Sequence, residues 1–465
     1  MIRRIFPQVL CCFALATFSC ALYGQEKFAF ANSRGMSIFA AEKNPAAMMA
    51  SAKAFQLDLL SADVTVRNDA VRISSMKDLL EGAKDNDMKN LVTYKADGKP
   101  KKLDFTLDAS LLNLIVASQR SAYGFGLRLR GNVLAHDIGE SLIAGFMDGV
   151  NPDEDNVSSL FNSAFGDFKI YGDIFAEVKL SYARRLFTDP SHRIDMGLSL
   201  KYLTGLYTAR GLTDDMDAQW DRENSLITIN RAAGTAVYYK KNFEEAFDDV
   251  SFNTFFGGKE FGGGFGADAG LSYEYHRDGR DRYMIRIGAA VQDIGTIKYE
   301  EDIFLYDVNI THPRVYNTDE DFGEDPKLDD ILSKLKDDFT ESGEVTERTG
   351  EYKMQLPTTV NLSLDWHVGS VLSVGANAVL PVSDEKKTAS PTGTLLNLTP
   401  RIESGPFMIG VPVTYSSRYK KVLMGVGVNL GGLFIGSDDL LGLLQDEFIG
   451  ANFYIGYTLS VGGRN

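Results

Sequence analysis

Cysteine is almost absent from this chain of 465 residues: its three cysteines, Cys11, Cys12 and Cys20, all lie among the first 24 residues. Residues 1–24 have two early arginines, a long apolar run and a terminal glycine, which is the pattern of a cleaved secretory signal. A lipoprotein that begins at Cys20 is the less favoured alternative, because Thr17-Phe18-Ser19 is a poor lead-in to a lipidated cysteine. The mature chain would therefore hold no disulfide, thiol nucleophile or cysteine metal site.

Basic residues are scarce: 48 Lys and Arg against 63 Asp and Glu give a net charge of −15, which becomes −17 once Arg3 and Arg4 leave with the signal. A nucleic-acid-binding protein would carry a basic face, so nucleic acid is excluded as a partner. No apolar run beyond the signal reaches the roughly 20 residues of a helical span, so a helical membrane protein is excluded as well.

The end of the chain carries the clearest pattern in the sequence. Between Ala451 and Val461, apolar residues alternate with polar or small ones. Successive side chains of a strand point to opposite faces, so this segment is a strand with one apolar and one polar face. Its length matches the roughly 9–11 residues that a tilted strand needs to cross a bilayer.

The same alternation recurs along the chain and predicts about 14 strands, with 16 as the alternative, since bacterial barrels favour even numbers. The regular strands are 123–130, 174–182, 193–202, 265–275, 283–292, 358–366, 372–380, 407–415, 422–430 and 451–461, and the less regular ones are 55–67, 103–112, 225–231, 396–402 and 433–436. Tight turns at 188–191 and 277–281 contrast with long loops at 132–167, 211–224, 232–264 and 300–351.

Alternation alone fits both a soluble sandwich, whose polar face meets water, and a membrane barrel, whose apolar face meets lipid. The export signal, the number of strands and the lack of an all-apolar core strand favour the barrel. We therefore predict an all-β fold, a single transmembrane antiparallel β-barrel over residues 55–465, in contact with outer-membrane lipid. Its loop 300–351 carries 17 acidic against 5 basic residues.

Residues 25–54 do not alternate and are predicted to form a hatch, or plug, inside the barrel. Asn44 can cap a short helix, proline at the first helical position loses no hydrogen bond, and the alanines that follow propagate the helix. Further short helices are predicted in the links, at 75–91, 328–339 and 438–445.

Charged residues on the polar faces of the strands are predicted to line the lumen. They can pair with one another as an interior ion-pair network, or they can line a selective path for a polar or amphipathic solute. The candidates are Arg128, Arg130, Glu177, Lys179, Arg193, Asp195, Lys201, Asp268, Glu274 and Arg286.

Motifs of catalysis are missing. The chain has no Gly-x-Ser-x-Gly elbow, no His-Glu-x-x-His pair and no phosphate-cradling loop, and its five histidines are scattered. The acidic run 319–325 lacks the order of a calcium-binding loop, so a solvated outer loop is favoured over a calcium site. We predict no enzyme activity, no cofactor and no metal.

Two resemblances add to this interpretation. Residues 30–51, with Gly35-Met36 and then Asn44-Pro45-Ala46, resemble the start of the long-chain fatty-acid transport barrels, although Ala47 stands where that family usually has glycine. The resemblance implies a hatch at Asn44, Pro45 and Ala46 inside a 14-stranded barrel.

The mature chain more closely resembles an uncharacterised outer-membrane barrel family common in Bacteroidetes-type bacteria. The matching stretches are 291–295 (Val-Gln-Asp-Ile-Gly), 356–358 (Leu-Pro-Thr) and 425–438. Because no activity is assigned to that family, the resemblance implies location and fold more than function.

These patterns predict a protein of the cell outer membrane that passively transports hydrophobic or amphipathic small molecules through a plugged lumen. The alternative is a non-transporting scaffold, or a secretion or surface-assembly component, that binds a protein partner through its acidic loops. A barrel hydrolase is the least favoured hypothesis.

Overall fold

The computed structural model describes residues 27–73, 92–94, 99–139, 164–221, 224–239, 252–258, 261–277, 282–317, 320–321, 328–384, 387–388, 393–441 and 450–463. The predicted signal, most of the turn at 277–281, the helix at 75–91 and most of that at 438–445 lie outside these residues. No helix in the described part of the chain is long and apolar enough to cross a membrane.

Fourteen antiparallel strands form a closed barrel, which confirms the predicted fold class. Each strand pairs with the next along the chain, and the last returns to the first, where Gly463 pairs with Lys53. Three of the strands are interrupted and consist of two pieces. The strands are β1 Lys53–Asn68, β2 Lys101–Ala117, β3 Ser121–Ile138, β4 Lys169–Thr188, β5 His192–Asp221, β6 Gly262–Tyr275, β7 Ile285–Tyr299, β8 Tyr352–Gln355 with Thr359–His367, β9 Leu372–Pro381, β10 Leu395–Ser404, β11 Phe407–Gly410 with Val413–Ser416, β12 Lys421–Met424 with Val426–Leu430, β13 Leu433–Ser437 and β14 Gly450–Gly463.

The distribution of polarity is that of a barrel in an apolar medium. Large apolar side chains on the outer faces are exposed, for example Phe265 at 74% and Leu200 at 69%. Their charged neighbours on the inner faces are almost fully buried, with Asp268 at 3% and Lys201 at 4%. This distribution excludes the soluble sandwich, which would bury the apolar face and expose the charged one.

The N-terminal segment, residues 27–50, lies against the inner face of the barrel and is nearly all buried. It contains the helix Ser37–Lys43 and the 3₁₀-helix Pro45–Ala50. As predicted, Asn44 caps the second of these, since its Oδ1 accepts the N–H of Ala46 at 2.9 Å. The main apolar core of the molecule lies between this segment and the wall, where Phe30 and Phe39 pack on Phe434 and Tyr454.

An outer sheet extends the wall beyond one end of the barrel. Residues 192–205 of β5 pair with β6, whereas residues 209–221 pair instead with the strand Leu226–Tyr239. That strand pairs with Ile303–Ile310 and Arg314–Asn317, and Val345–Thr349 forms the far edge. The helix Leu328–Glu341 packs on the sheet through Phe339, which contacts Tyr316.

The outer sheet corrects the prediction of long loops. Strands occupy most of the described parts of 132–167, 211–224 and 232–264, with a 3₁₀-helix at Phe252–Phe256, and three strands with a helix occupy much of 300–351. The sequence pattern fails here because Asp214, Asp215 and Asp217 interrupt the alternation at a bulge between β5 and its neighbour, and a local run of acids is typical of a loop. The helix predicted at 328–339 is present as Leu328–Glu341.

Candidate functional site

An ion-pair cluster centred on Asp293 lies on one side of the lumen. Two residues of β7 stand opposite one residue of β6 at this point, and Asp293 takes a left-handed conformation with φ of 58°. The bulge turns its carboxylate towards β3 and β5, where it accepts from Arg130 at 2.9 and 3.1 Å and from Lys201 at 2.6 Å. Lys201 also pairs with Asp268 at 2.7 Å. With Glu177 of β4, which lies 3.6 Å from Arg130 and 3.8 Å from Lys201, the cluster ties five strands together.

A second cluster lies nearer the end of the barrel at which short turns join neighbouring strands. Arg401 forms a bidentate pair with Asp365 at 2.7 Å for both bonds, and Tyr283 donates to the same carboxylate at 2.7 Å. The guanidinium groups of Arg401 and Arg286 both donate to the main-chain oxygen of Asn32, at 3.1 and 3.0 Å. This cluster anchors the N-terminal segment to the wall.

A cavity of about 130 Å³ lies between the N-terminal segment and the end of the barrel with long links. Basic side chains outnumber acidic ones around it, although the whole protein is acidic. The acidic residues are Glu42, Asp104, Asp268 and Asp293, and the basic ones are Lys43, Arg67, Arg128, Lys179, Lys201 and Arg418.

A narrower gap of about 20 Å³, here called the seam, continues from this cavity between the N-terminal segment and the wall. Lys43, Asn361 and Val379 line both spaces. The wall of the seam is formed by β6, β7, β8 and β9, and it carries neutral amides and hydroxyls, including Asn377 and Ser363, together with the guanidinium group of Arg286.

All ten charged residues predicted to line the lumen lie on the inner faces, and their role there stays a prediction. Arg130, Glu177, Lys201 and Asp268 belong to the Asp293 cluster. Arg128 pairs with Asp108, and Asp195 pairs with Arg185 at 2.9 Å. Of the remaining four, Lys179 lines the cavity described above, and Arg193, Glu274 and Arg286 lie near the end with short turns, where Glu274 contacts His276 at 3.1 Å. Asn44, Pro45 and Ala46, the residues predicted to form a hatch, contact β5 and β6, and their role as a hatch stays a prediction.

Four important lumen residues were not among the predicted ones: Asp108, Asp293, Asp365 and Arg401. Three of them could have been found, because Asp108, Asp365 and Arg401 have the inward phase of strands that the alternation predicts. The alternation could not show that Asp293 faces the lumen, because the bulge in β7 shifts this residue out of the alternating pattern. Its position in the stretch 291–295 was the only available signal.

Within the described residues, the buried histidine His367 does not form an accessible reactive centre. His367 lies beside Ser373 and 3.7 Å from Asp365, but Ser373 is fully buried and Asp365 is held by Arg401. Within the described residues, no three His, Cys, Asp or Glu side chains are placed to hold a metal ion. The absence of enzyme activity stays a prediction.

Comparison with known proteins gives a family but no activity. The model of a family of unknown function, DUF5723, matches residues 45–438. No curated protein matches the chain.

Among solved structures, the chain is similar to the toluene transporter TbuX of Ralstonia pickettii, with 11% identity over 91% of this chain and 94% of that one and a TM-score of 0.43. The toluene transporter TodX of Pseudomonas putida gives 11% identity, coverages of 95% and 97%, and a TM-score of 0.38. A FadL homologue of Pseudomonas aeruginosa gives 10% identity, covers 92% of this chain and 96% of its own, and has a TM-score of 0.23. Likeness at this level carries no argument about function, which has to come from the residues of the chain.

Proposed function

Since the chain belongs to the DUF5723 family of unknown function, we propose its role from its own geometry: it is an outer-membrane barrel that lets small amphipathic molecules pass a hatch formed by residues 27–50. The observation that carries the proposal is the inversion of polarity between the two faces of the wall. A continuous belt of exposed Leu, Ile, Val and Phe is stable only against lipid.

Membrane location is tested by fractionation combined with gel migration before and after boiling. We expect the protein in the outer-membrane fraction and a band that migrates as a compact species until it is heated. A soluble protein whose migration does not change on boiling would refute both the location and the transport that depends on it.

Passage of a solute is supported by the cavity and by the polar inner wall. The cavity borders the N-terminal segment through Glu42 and Lys43, so a molecule held there meets the hatch before anything else. The hatch is joined to the wall by the apolar core around Phe30 and Phe39 and by polar bonds, among them Asn44 Nδ2 to the oxygen of Leu271 and the N–H of Phe28 to Asp438. Such bonds can be exchanged for water or solute as the hatch shifts.

Transport is tested with the full mature protein in liposomes, using hexyl phosphate and the neutral hexyl glucoside as probes. We expect at least one probe to enter protein-containing liposomes several times faster than empty ones. Equal rates for both probes in the two preparations would remove the transport proposal while leaving the barrel in place.

A second role, as a scaffold for a protein partner, is favoured by the outer sheet. This sheet has its own apolar core around Phe339 and Tyr316, so it is a folded platform and not a simple loop. Pull-downs with the intact protein and with a variant in which residues 303–349 are replaced by a short linker discriminate the two roles. An unchanged set of partners would exclude the platform as a docking site.

A further inference from the structure

Arg184 is a charged and exposed residue on an otherwise apolar part of the outer face of the barrel. It lies near the end of β4 at which short turns join neighbouring strands, and it pairs across the sheet with Ser121 of β3 and Met196 of β5. Apart from Ser121, the outward-facing side chains around it are apolar or aromatic: Tyr123, Phe125, Leu180, Tyr182, Ile194, Met196 and Leu198. The strand phase therefore directs a cation towards the lipid.

No carboxylate of the described chain compensates this charge. The guanidinium group of Arg184 forms no ion pair or hydrogen bond with the residues that the structure describes. Asp195 of the neighbouring strand faces the lumen and pairs with Arg185 at 2.9 Å. Asp189, in the turn between β4 and β5, accepts two N–H groups of that turn at 2.7 and 2.6 Å. An arginine on a lipid-facing surface is costly unless it finds an anion, so its partner has to come from outside the chain.

Arg120 places a second guanidinium group beside the first. It lies in the turn between β2 and β3 and is exposed, and its main-chain oxygen accepts the N–H of Arg185 at 3.0 Å. Its side chain also lacks an ion pair within the described ranges. Two guanidinium groups suit a phosphate, which they can bind with paired hydrogen bonds. Because no free carboxylate accompanies them, nothing here would hold the ammonium group of a zwitterionic lipid.

Aromatic side chains mark this level of the wall as the boundary between hydrocarbon and water. Tyr123 and Tyr182 are both exposed and pair across β3 and β4, with ring centres 5.3 Å apart. Other exposed aromatic residues occur at the same end of the barrel, on β8, β11 and β14: Trp366, Phe407 and Tyr457. Such residues collect where a barrel passes from the acyl chains to the head groups. Arg184 follows Tyr182 by two residues, so its long side chain can reach the lipid phosphates.

We propose that Arg184 and Arg120 bind the head group of an anionic phospholipid in the leaflet at the short-turn end of the barrel. The guanidinium groups hold the phosphate, while Tyr123 and Tyr182 contact the glycerol and the upper acyl chains. Free phosphate would satisfy the two arginines but would leave the exposed tyrosine pair without a contact, which is why the lipid is the assigned ligand. The proposal rests on the membrane location given under the proposed function and is independent of transport.

Binding is tested by native mass spectrometry of the full mature barrel, titrated with dioleoylphosphatidylglycerol or dioleoylphosphatidylcholine. These lipids have the same acyl chains and differ in net charge. We expect the first phosphatidylglycerol to bind about tenfold more tightly than the first phosphatidylcholine, since each basic group near the membrane surface favours anionic lipid. Equal affinities would overturn the proposal. Displacement of phosphatidylglycerol by millimolar inorganic phosphate would overturn it too, because the site would then be an anion site that does not select lipid.

Variants identify the groups responsible. Arg184→Gln should reduce the preference for phosphatidylglycerol to about twofold, and Arg120→Gln should act in the same direction. The matched control is Arg348→Gln, on an exposed arginine of the outer sheet that pairs with Asp307, and it should keep the wild-type preference. Heat-dependent gel migration verifies that each variant is folded. Folded Arg184→Gln and Arg120→Gln barrels that keep the tenfold preference would refute the site and leave the membrane location standing, whereas a soluble wild-type protein would refute both.

Discussion

Asp293 is the residue on which the ion-paired side of the lumen depends. It satisfies Arg130 and Lys201 together, and both cations are almost completely buried. Removing one partner of a buried ion pair leaves the others uncompensated, which costs more than the pair contributes in isolation.

Asp293→Asn should therefore lower the free energy of unfolding by roughly 3 kcal/mol, near the lower end of the range for broken buried pairs. The measurement is urea-induced unfolding of the barrel in lipid vesicles. The matched control is Asp307→Asn, at an exposed carboxylate that pairs with the exposed Arg348, where a change of less than about 1 kcal/mol is expected. A similar small change for both variants would mean that the cluster is wetter than its burial implies.

Glycines on the inner face of the wall lie where the N-terminal segment contacts it. A Cβ on Gly197 would overlap the main chain of Pro45 and Ala46, and one on Gly270 would overlap Asn44. These glycines therefore lie directly beside the start of the 3₁₀-helix that Asn44 caps. These glycines let the N-terminal segment approach the backbone of β5 and β6.

Gly197→Ala should displace the hatch without preventing barrel closure, since overpacking of this kind costs about 1–3 kcal/mol. The expected result is faster tryptic cleavage at Arg34 or Lys43, with heat-dependent gel migration retained. Gly263→Ala is the control, because a Cβ there has open space around it. Equal protection of both variants would show that the segment adjusts to the extra methyl group.

The outer sheet is an element whose stability should depend on pH through Glu344. The N–H groups of Thr311 and His312 donate to its carboxylate at 2.8 and 2.9 Å, and they lower the pKa of Glu344 to about 2 from an ordinary value of 4.5. A lowered pKa means that the ionised carboxylate stabilises the folded sheet fully above pH 4.5. This stabilisation is lost as the pH falls from 4.5 towards 2.

Glu344→Gln should consequently destabilise the outer sheet at neutral pH and make no difference near pH 2. The measurement is protease susceptibility of residues 303–349 in wild type and variant across that pH range. Glu341→Gln, at the exposed end of the helix Leu328–Glu341, serves as the control. A difference between wild type and Glu344→Gln that stays constant from pH 7 to pH 2 would show that the bonds to Thr311 and His312 do not depend on the charge.

At the scale of the whole molecule, the sequence predicts the barrel well, but it does not predict the outer sheet or the bulge at Asp293. Period-two alternation identifies the strands and the inward phase of residues such as Lys201 and Asp268, because both depend only on local chain geometry. The alternation does not predict which strands pair with each other. The exchange of β6 for Leu226–Tyr239 along β5, and the bulge that turns Asp293 inward, depend on contacts between residues far apart in sequence.

The remaining unpredicted feature is the fit between hatch and barrel, and it leads to a prediction for the intact molecule. The wall has its own ion pairs, and each strand pairs with its neighbours around the barrel, so we expect the fourteen strands to close without residues 27–50. Deleting those residues behind the signal should give a heat-modifiable barrel with a water-filled lumen, because the charged inner faces hydrate readily once uncovered.

Cells that carry this deletion should become more sensitive to large antibiotics, such as vancomycin, that intact outer membranes exclude, and liposomes should admit sucrose. Gly197→Ala, which only loosens the hatch, should give an intermediate effect. A folded deletion variant that admits no more sucrose than the wild type would mean that the outer sheet and links, and not the N-terminal segment, close the lumen.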